Sequence, residues 1–166
     1  GPAAAAPKGK TAMGAPLEPR GKKVFFGISD TGDPADFGAF STTMSKHPAV
    51  LQTFRSWGAD FPESITRWQE ARARPMLHIT TADNNSGAEL ISPRGIAKGD
   101  GDEYLVRLNK LFWAKQMPAY IRPLGEPNHC LNVYSSYDCE GGLRSAAHKP
   151  RWYKLAFRRI HVIVHG

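Results

Sequence analysis

Long apolar runs are absent from this 166-residue chain, and no stretch approaches the roughly 20 apolar residues that a membrane-spanning helix requires. No complete signal peptide is present either. Residues 1–22 are instead rich in Ala, Pro and Gly, a composition typical of a disordered leader or linker. We therefore expect a single folded domain at residues 23–166, since a chain of this length buries one core.

Several motifs that carry chemistry are also missing. There is no Gly-x-Ser-x-Gly nucleophile elbow, and Gly99 and Gly101 lack the rest of a phosphate-binding or dinucleotide-binding fingerprint. His161 and His165 have the spacing of a helical metal pair, but no Glu follows the first His and no third ligand is evident. We predict no metal site and no cofactor.

Acidic residues are too few to balance the basic ones. The 22 Lys and Arg outnumber the 15 Asp and Glu, and the formal net charge is +7. A basic excess can indicate nucleic acid or an anionic surface as the partner. Here the positive residues are scattered over separate segments, as on solvated helix faces, so we expect neither nucleic acid nor a membrane as partner. A polyanion-binding module is the weakest of three function hypotheses.

Cysteine is scarce as well. The only two, Cys130 and Cys139, lie in one polar loop. Their separation suits a small loop-closing disulfide in an oxidising compartment, and two reduced thiols are the alternative. A disulfide would agree with a secreted protein.

What the chain does contain is an alternation of short apolar segments and amphipathic ones. Strands are predicted at 24–28, 49–54, 76–80 and 119–121, and helices from Asp60, from Asp102 and from near Lys149. The segment before Pro48 and the Gly-rich stretch before Gly101 are predicted to be loops. Trp68, Trp113 and Trp152 fall within helices and are predicted to pack against neighbouring elements.

This order of elements is typical of an α/β fold with a parallel sheet. Four βα units are half of a TIM (β/α)8 barrel, and half a barrel leaves strand edges and one sheet face uncovered. Three interpretations follow: a fragment of a longer barrel protein, which we favour, a half that pairs with another half, or a complete smaller open sheet.

The segment PAYIRPLGEPN, residues 118–128, is the most informative. Arg122, Glu126 and Asn128 follow a short apolar strand, and the carboxyl ends of parallel barrel strands carry active sites. Trp57 follows the second strand in the same way. Tyr134 and Tyr137 lie in the polar loop after the motif, and aromatic rings can stack on the C–H faces of sugars.

The spacing of Arg122, Pro123, Glu126 and Asn128 resembles the acid/base segment of retaining (β/α)8-barrel glycoside hydrolases, and most of all glycoside hydrolase family 26, the β-mannanase-like enzymes. The resemblance implies a polysaccharide substrate with β linkages, of mannan type, and a double-displacement mechanism. Glu126 would be the general acid/base, and the nucleophile would lie on a seventh strand that this sequence does not contain. The substrate-binding residues would be Arg122, Asn128, Trp57, Tyr134 and Tyr137.

Two features depart from that family. Gly125 stands where the family usually has His before the catalytic Glu, and the loop after the motif contains no Trp. A non-catalytic carbohydrate-binding or scaffold protein on the same fold is therefore the alternative hypothesis.

Overall fold

The computed structural model describes residues 17–165. They form an α/β fold whose four parallel strands lie in the order β1-β2-β3-β4. The elements, in chain order, are β1 (Gly27–Ser29), α1 (Pro34–Thr43), β2 (Val50–Ser56), α2 (Pro62–Ala71), β3 (Arg74–Thr80), α3 (Pro93–Lys98), α4 (Asp102–Ala114), β4 (Tyr120–Pro123) and α5 (Pro150–His165). The predicted α/β class is confirmed, and most of the predicted leader lies outside the described residues.

These residues divide into two compact units, and the first comprises 17–53, 60–77 and 112–121. Its core is built around Trp68 of α2, which is fully buried. The indole N–H donates to the carbonyl of Leu51 at 2.9 Å, so the polar atom of this large ring is satisfied. The rings of Phe61 and Phe112 lie 6.4 Å and 6.0 Å from that of Trp68. This cluster fixes α2 against β2.

The second unit comprises 54–59, 78–111 and 122–165. Helix α4 buries Tyr104, Leu105 and Leu108 there. Helix α5 contributes Ala156 and Ile160 to the core of the same unit. None of the helices among residues 17–165 is long and apolar enough to cross a membrane.

Burial alternates along β3. Pro75, Leu77 and Ile79 are buried, whereas the residues between them are only half-buried. Strands of parallel sheets are usually covered on both faces. In the described chain, however, the side of β3 that carries Met76, His78 and Thr80 is covered less completely than the other side.

Two predicted loops contain short helices. Asp33 caps α1, because its carboxylate accepts from the amide of Ala35 at 2.9 Å. Ser92 caps α3 through a bond from the amide of Gly95 at 3.1 Å, and the helix ends at Gly99 with φ of 100°. The loop prediction was wrong at both places, because α1 buries only Phe37 and α3 only Pro93 and Ile96, so that neither helix shows a clear apolar periodicity.

Three further predictions were wrong in detail. Strand β1 begins at Gly27 rather than Val24, because its pairing with β2 starts at Gly27 and Val50. Helix α2 begins at Pro62, and Asp60 does not cap it. Trp113 does not pack against the core: its side chain is 85% exposed.

Candidate functional site

Strand β4 ends at Pro123 and leads into a turn of unusual backbone conformation, residues 124–126, which we name the Glu126 turn. Leu124 and Glu126 have φ of 51° and 55°, in the left-handed region that residues with a side chain rarely adopt. Leu124 is fully buried, and its amide donates to the carbonyl of Ile79 at 2.9 Å. Non-glycine backbone in this region persists where the surroundings hold it, and it is frequent at functional sites.

Three side chains, Asn132, Tyr134 and Tyr153, hold the Glu126 turn by its carbonyl groups, and we name them the clamp. The hydroxyl of Tyr153 donates to the carbonyl of Leu124 at 2.9 Å, and the hydroxyl of Tyr134 donates to the carbonyl of Gly125 at 2.5 Å. The side-chain amide of Asn132 donates to the carbonyls of Gly125 and Glu126 at 3.2 Å and 2.9 Å. A left-handed residue costs about 1–2 kcal/mol, and a hydrogen bond contributes about 1 kcal/mol net. The four hydrogen bonds of the clamp are therefore strong enough to offset the conformational cost of the two left-handed residues.

The side chain of Glu126 is not covered by the clamp: it is 65% exposed. Its Oε1 lies 3.6 Å from Nη2 of Arg122. An exposed pair at this distance adds little to stability. The pair does keep the cationic Arg122 beside the carboxylate of Glu126, which is accessible to solvent and to a bound molecule.

Gly125 allows Arg122 to occupy this position. A Cβ added at Gly125 would lie 2.8 Å from Cζ of Arg122, closer than real contacts permit. The glycine at position 125 therefore has a local reason: the guanidinium of Arg122 fills the space that a larger residue would need.

His78, from β3, lies on the other side of Arg122. Its Nδ1 is 3.3 Å from Nη1 of Arg122, and its ring is 5.0 Å from that of Phe54. Burial lowers the pKa of His78, the charge of Arg122 lowers it further, and Glu126 partly opposes this shift. The imidazole is therefore held toward its neutral form.

The remaining predicted binding residues are placed differently. Asn128 is exposed, and Tyr137 is 51% exposed in the loop that follows. Tyr134 is buried, and its burial raises its pKa to about 12, so that it keeps its proton and remains a donor. Trp57 is buried against the ring of Tyr104, 5.2 Å away. Sugar stacking by Trp57 or Tyr134 stays a prediction that their burial does not favour.

Cys130 and Cys139 are joined by a disulfide, with their Cα atoms 4.9 Å apart. The loop that it closes carries Asn132 and Tyr134. Sequence reasoning missed Asn132 and Tyr153 as site residues. The amide of Asn132 contacts carbonyl groups six and seven residues away, and the phenol of Tyr153 one that is 29 residues away. No local sequence pattern indicates either contact.

A second polar cluster joins two loops through His148, which is buried. Its Nε2 lies 2.6 Å from Oε1 of Glu89, and its Nδ1 lies 2.7 Å from Oγ of Ser145. The same Oγ accepts from the amide of Ala147 at 3.1 Å, as in a local serine turn. We interpret this cluster as an anchor between loops rather than as a nucleophile site.

Among residues 17–165, no group of three or more potential ligands could hold a metal ion. Comparison with models of known protein families and with curated proteins found no match for this chain. The assignment of a function therefore rests on the residues of the Glu126 turn and their surroundings.

Proposed function

We propose that this chain is part of a retaining glycoside hydrolase that acts on a β-linked polysaccharide, with Glu126 as its general acid/base. The observation that carries the proposal is the Glu126 turn: an exposed carboxylate, on strained backbone held by side-chain donors, directly after a parallel strand. Catalytic groups of barrel enzymes occupy this place, and preorganised backbone is what positions them.

The sheet supports a (β/α)8 barrel as the complete fold. Four parallel strands with intervening helices form the described part, and Met76, His78 and Thr80 of β3 are only half-buried. In a barrel, side chains on one face of each strand would be covered by the opposite strands. Residues outside this sequence would supply those strands and the nucleophile.

The chemistry assigns a role to each nearby group. Retaining hydrolysis needs two carboxyl groups about 5–5.5 Å apart, one to protonate the leaving oxygen and later activate water, the other to attack the sugar carbon. Glu126 takes the first role. Arg122 and Asn128 hydrogen-bond to sugar hydroxyls, and Tyr137 offers an exposed ring for stacking. Mannan is the proposed polymer by resemblance only, and the disulfide agrees with secretion.

A non-catalytic carbohydrate-binding protein is the second candidate. The exposure of the Glu126 side chain favours it, because a general acid is usually partly desolvated so that it holds its proton. Binding of mannan oligosaccharides without hydrolysis would support this candidate.

The test compares Glu126→Gln with wild type in the full-length product of the gene, assayed on β-mannan. Loss of a general acid/base lowers turnover by about 10²- to 10⁴-fold, and an aryl glycoside with a good leaving group should lose less because it needs no proton. Glu140→Gln is the matched control, since Glu140 is exposed in the disulfide loop region. Retention of activity in Glu126→Gln removes Glu126 from this role.

A further inference from the structure

We infer that Asn132 and Tyr134 are positioning residues for Glu126, and that the Cys130–Cys139 disulfide holds them in place, so that reduction of this disulfide releases the Glu126 turn. The consequence for catalysis rests on the function proposed above. The geometric part of the inference does not.

The first step concerns what the turn needs. Leu124 and Glu126 are both left-handed without being glycine. Relaxation of the turn would therefore lower its conformational free energy unless its surroundings prevent this. Asn132 and Tyr134 supply three of the four clamp bonds, all of them to the carbonyl groups of Gly125 and Glu126. These two side chains therefore have the largest effect on where Glu126 points.

The second step concerns what holds the two side chains. The segment from Cys130 to Cys139 contains no helix or strand. The amides of Asn132 and Ser135 make short-range turn bonds to His129 and Asn132, and Nη2 of Arg144 donates to the carbonyl of Cys130 at 2.6 Å. Tyr134, Ser135 and Ser136 are also buried, and the amide of Arg144 donates to the carbonyl of Ser136 at 2.9 Å. The disulfide adds a covalent link across this segment, and cutting that link increases the freedom of the loop.

The third step is the chemistry of release. A dithiol reductant breaks the S–S bond and transfers two electrons and two protons to the cysteine pair. Two thiols form, and the reagent becomes a cyclic disulfide. No bond of the clamp is altered directly, so any change at Glu126 must pass through the loop.

The experiment uses the 166-residue chain, with no substrate, and measures amide hydrogen exchange by NMR. Two amides report on the turn: that of Leu124, bonded to Ile79, and that of His129, bonded to the carbonyl of Glu126 at 3.0 Å. Reduction with dithiothreitol should speed their exchange about three- to tenfold, as loss of a hydrogen bond does. It should also shift the carboxylate carbon signal of Glu126.

Single substitutions in the oxidised protein keep the inference testable if reduction unfolds the chain. Tyr134→Phe removes one hydroxyl, and Asn132→Ala removes one amide, so each should reproduce part of the change. Tyr137→Phe is the matched control, because Tyr137 is exposed in the same loop, and it should change neither reporter. The indole signal of Trp68, from the core of the other unit, verifies that the chain stays folded.

Unchanged exchange of Leu124 and His129 in Tyr134→Phe and Asn132→Ala would overturn the positioning role. Unchanged exchange on reduction of a folded chain would overturn the role of the disulfide.

In the full-length product, Tyr134→Phe should lower kcat more on β-mannan than on a dinitrophenyl glycoside, because only the first reaction needs a proton from a correctly placed general acid. Equal losses would point to a purely structural effect. If no glycosidase activity exists while the exchange effects hold, the proposed function alone has failed.

Discussion

The ends of strands β2 and β4 carry similar side chains but use them differently. At the end of β2, Oγ of Ser56 donates to the carbonyl of Ala82 at 2.7 Å, and the indole of the next residue, Trp57, is buried against Tyr104. After β4, Glu126 is exposed and its backbone is held from outside the strand. The residues at the first strand end stabilise the fold, whereas those at the second present a carboxylate.

The difference shows that residue type at a strand end does not by itself identify a site. Both ends contain an Arg, and Nη1 of Arg55 donates to the carbonyl of its neighbour Phe54 at 2.9 Å. At the β4 end, Nη2 of Arg122 lies 3.6 Å from the carboxylate of Glu126, which is 65% exposed. What distinguishes a presented group is that other side chains hold its backbone while its own side chain stays accessible.

Substitution of the aromatic residues should give the largest contrast. Trp57→Ala should lower the free energy of unfolding by about 3–5 kcal/mol, because it empties a buried position. A Cβ at Gly101 would lie 2.4 Å from Cζ2 of Trp57, which shows how closely the ring is packed. Tyr137→Ala, at an exposed ring, should change the free energy of unfolding by less than about 0.5 kcal/mol. Urea denaturation measures both, and a similar loss in the two variants would contradict the assignment of Trp57 to the core.

Sequence reasoning placed the strands within a few residues, because apolar runs bounded by Pro and polar turns are local signals. It also singled out Glu126 and Arg122, because a motif with fixed spacing marks them. The structure places their side chains 3.6 Å apart, and their role in a reaction stays a prediction. It missed helix α1, whose ten residues bury only Phe37. It missed the clamp role of Tyr134, since no local pattern links a loop phenol to a carbonyl nine residues away.

Gly125→Ala should sharpen the account of the β4 end. The added Cβ meets Cζ of Arg122 at 2.8 Å, and because this is a flexible side chain it should move away from Glu126. An exposed ion pair contributes up to about 1 kcal/mol, so its loss corresponds to at most about a fivefold fall in kcat/KM of the full-length product on β-mannan. Stability should change by less than about 1 kcal/mol.

Gly38→Ala is the control for this substitution. A Cβ at Gly38 meets nothing within 4 Å, and the residue lies inside helix α1. Alanine there should leave activity unchanged and stabilise the protein by about 0.5–1 kcal/mol. Equal activity of Gly125→Ala and wild type would show that the position of Arg122 beside Glu126 has no role in the reaction.

The smallest effect concerns His78, which contacts Phe54 near the end of β2 and Arg122 near the end of β4. Its pKa in the folded chain lies below the ordinary 6.5, chiefly through burial and then through Arg122. The unfolded chain therefore binds more protons than the folded chain between the lowered pKa and 6.5, and stability is lost as the pH falls through this window. Above pH 6.5 the imidazole of His78 is neutral in both the folded and the unfolded chain, and its contribution to stability no longer changes with pH. His78→Gln should flatten the pH dependence of the urea midpoint below pH 6.5, whereas His129→Gln, at an exposed residue, should leave the wild-type dependence in place. A slope that persists in His78→Gln would show that the imidazole between the two strand ends is not the group that destabilises the folded chain on acidification.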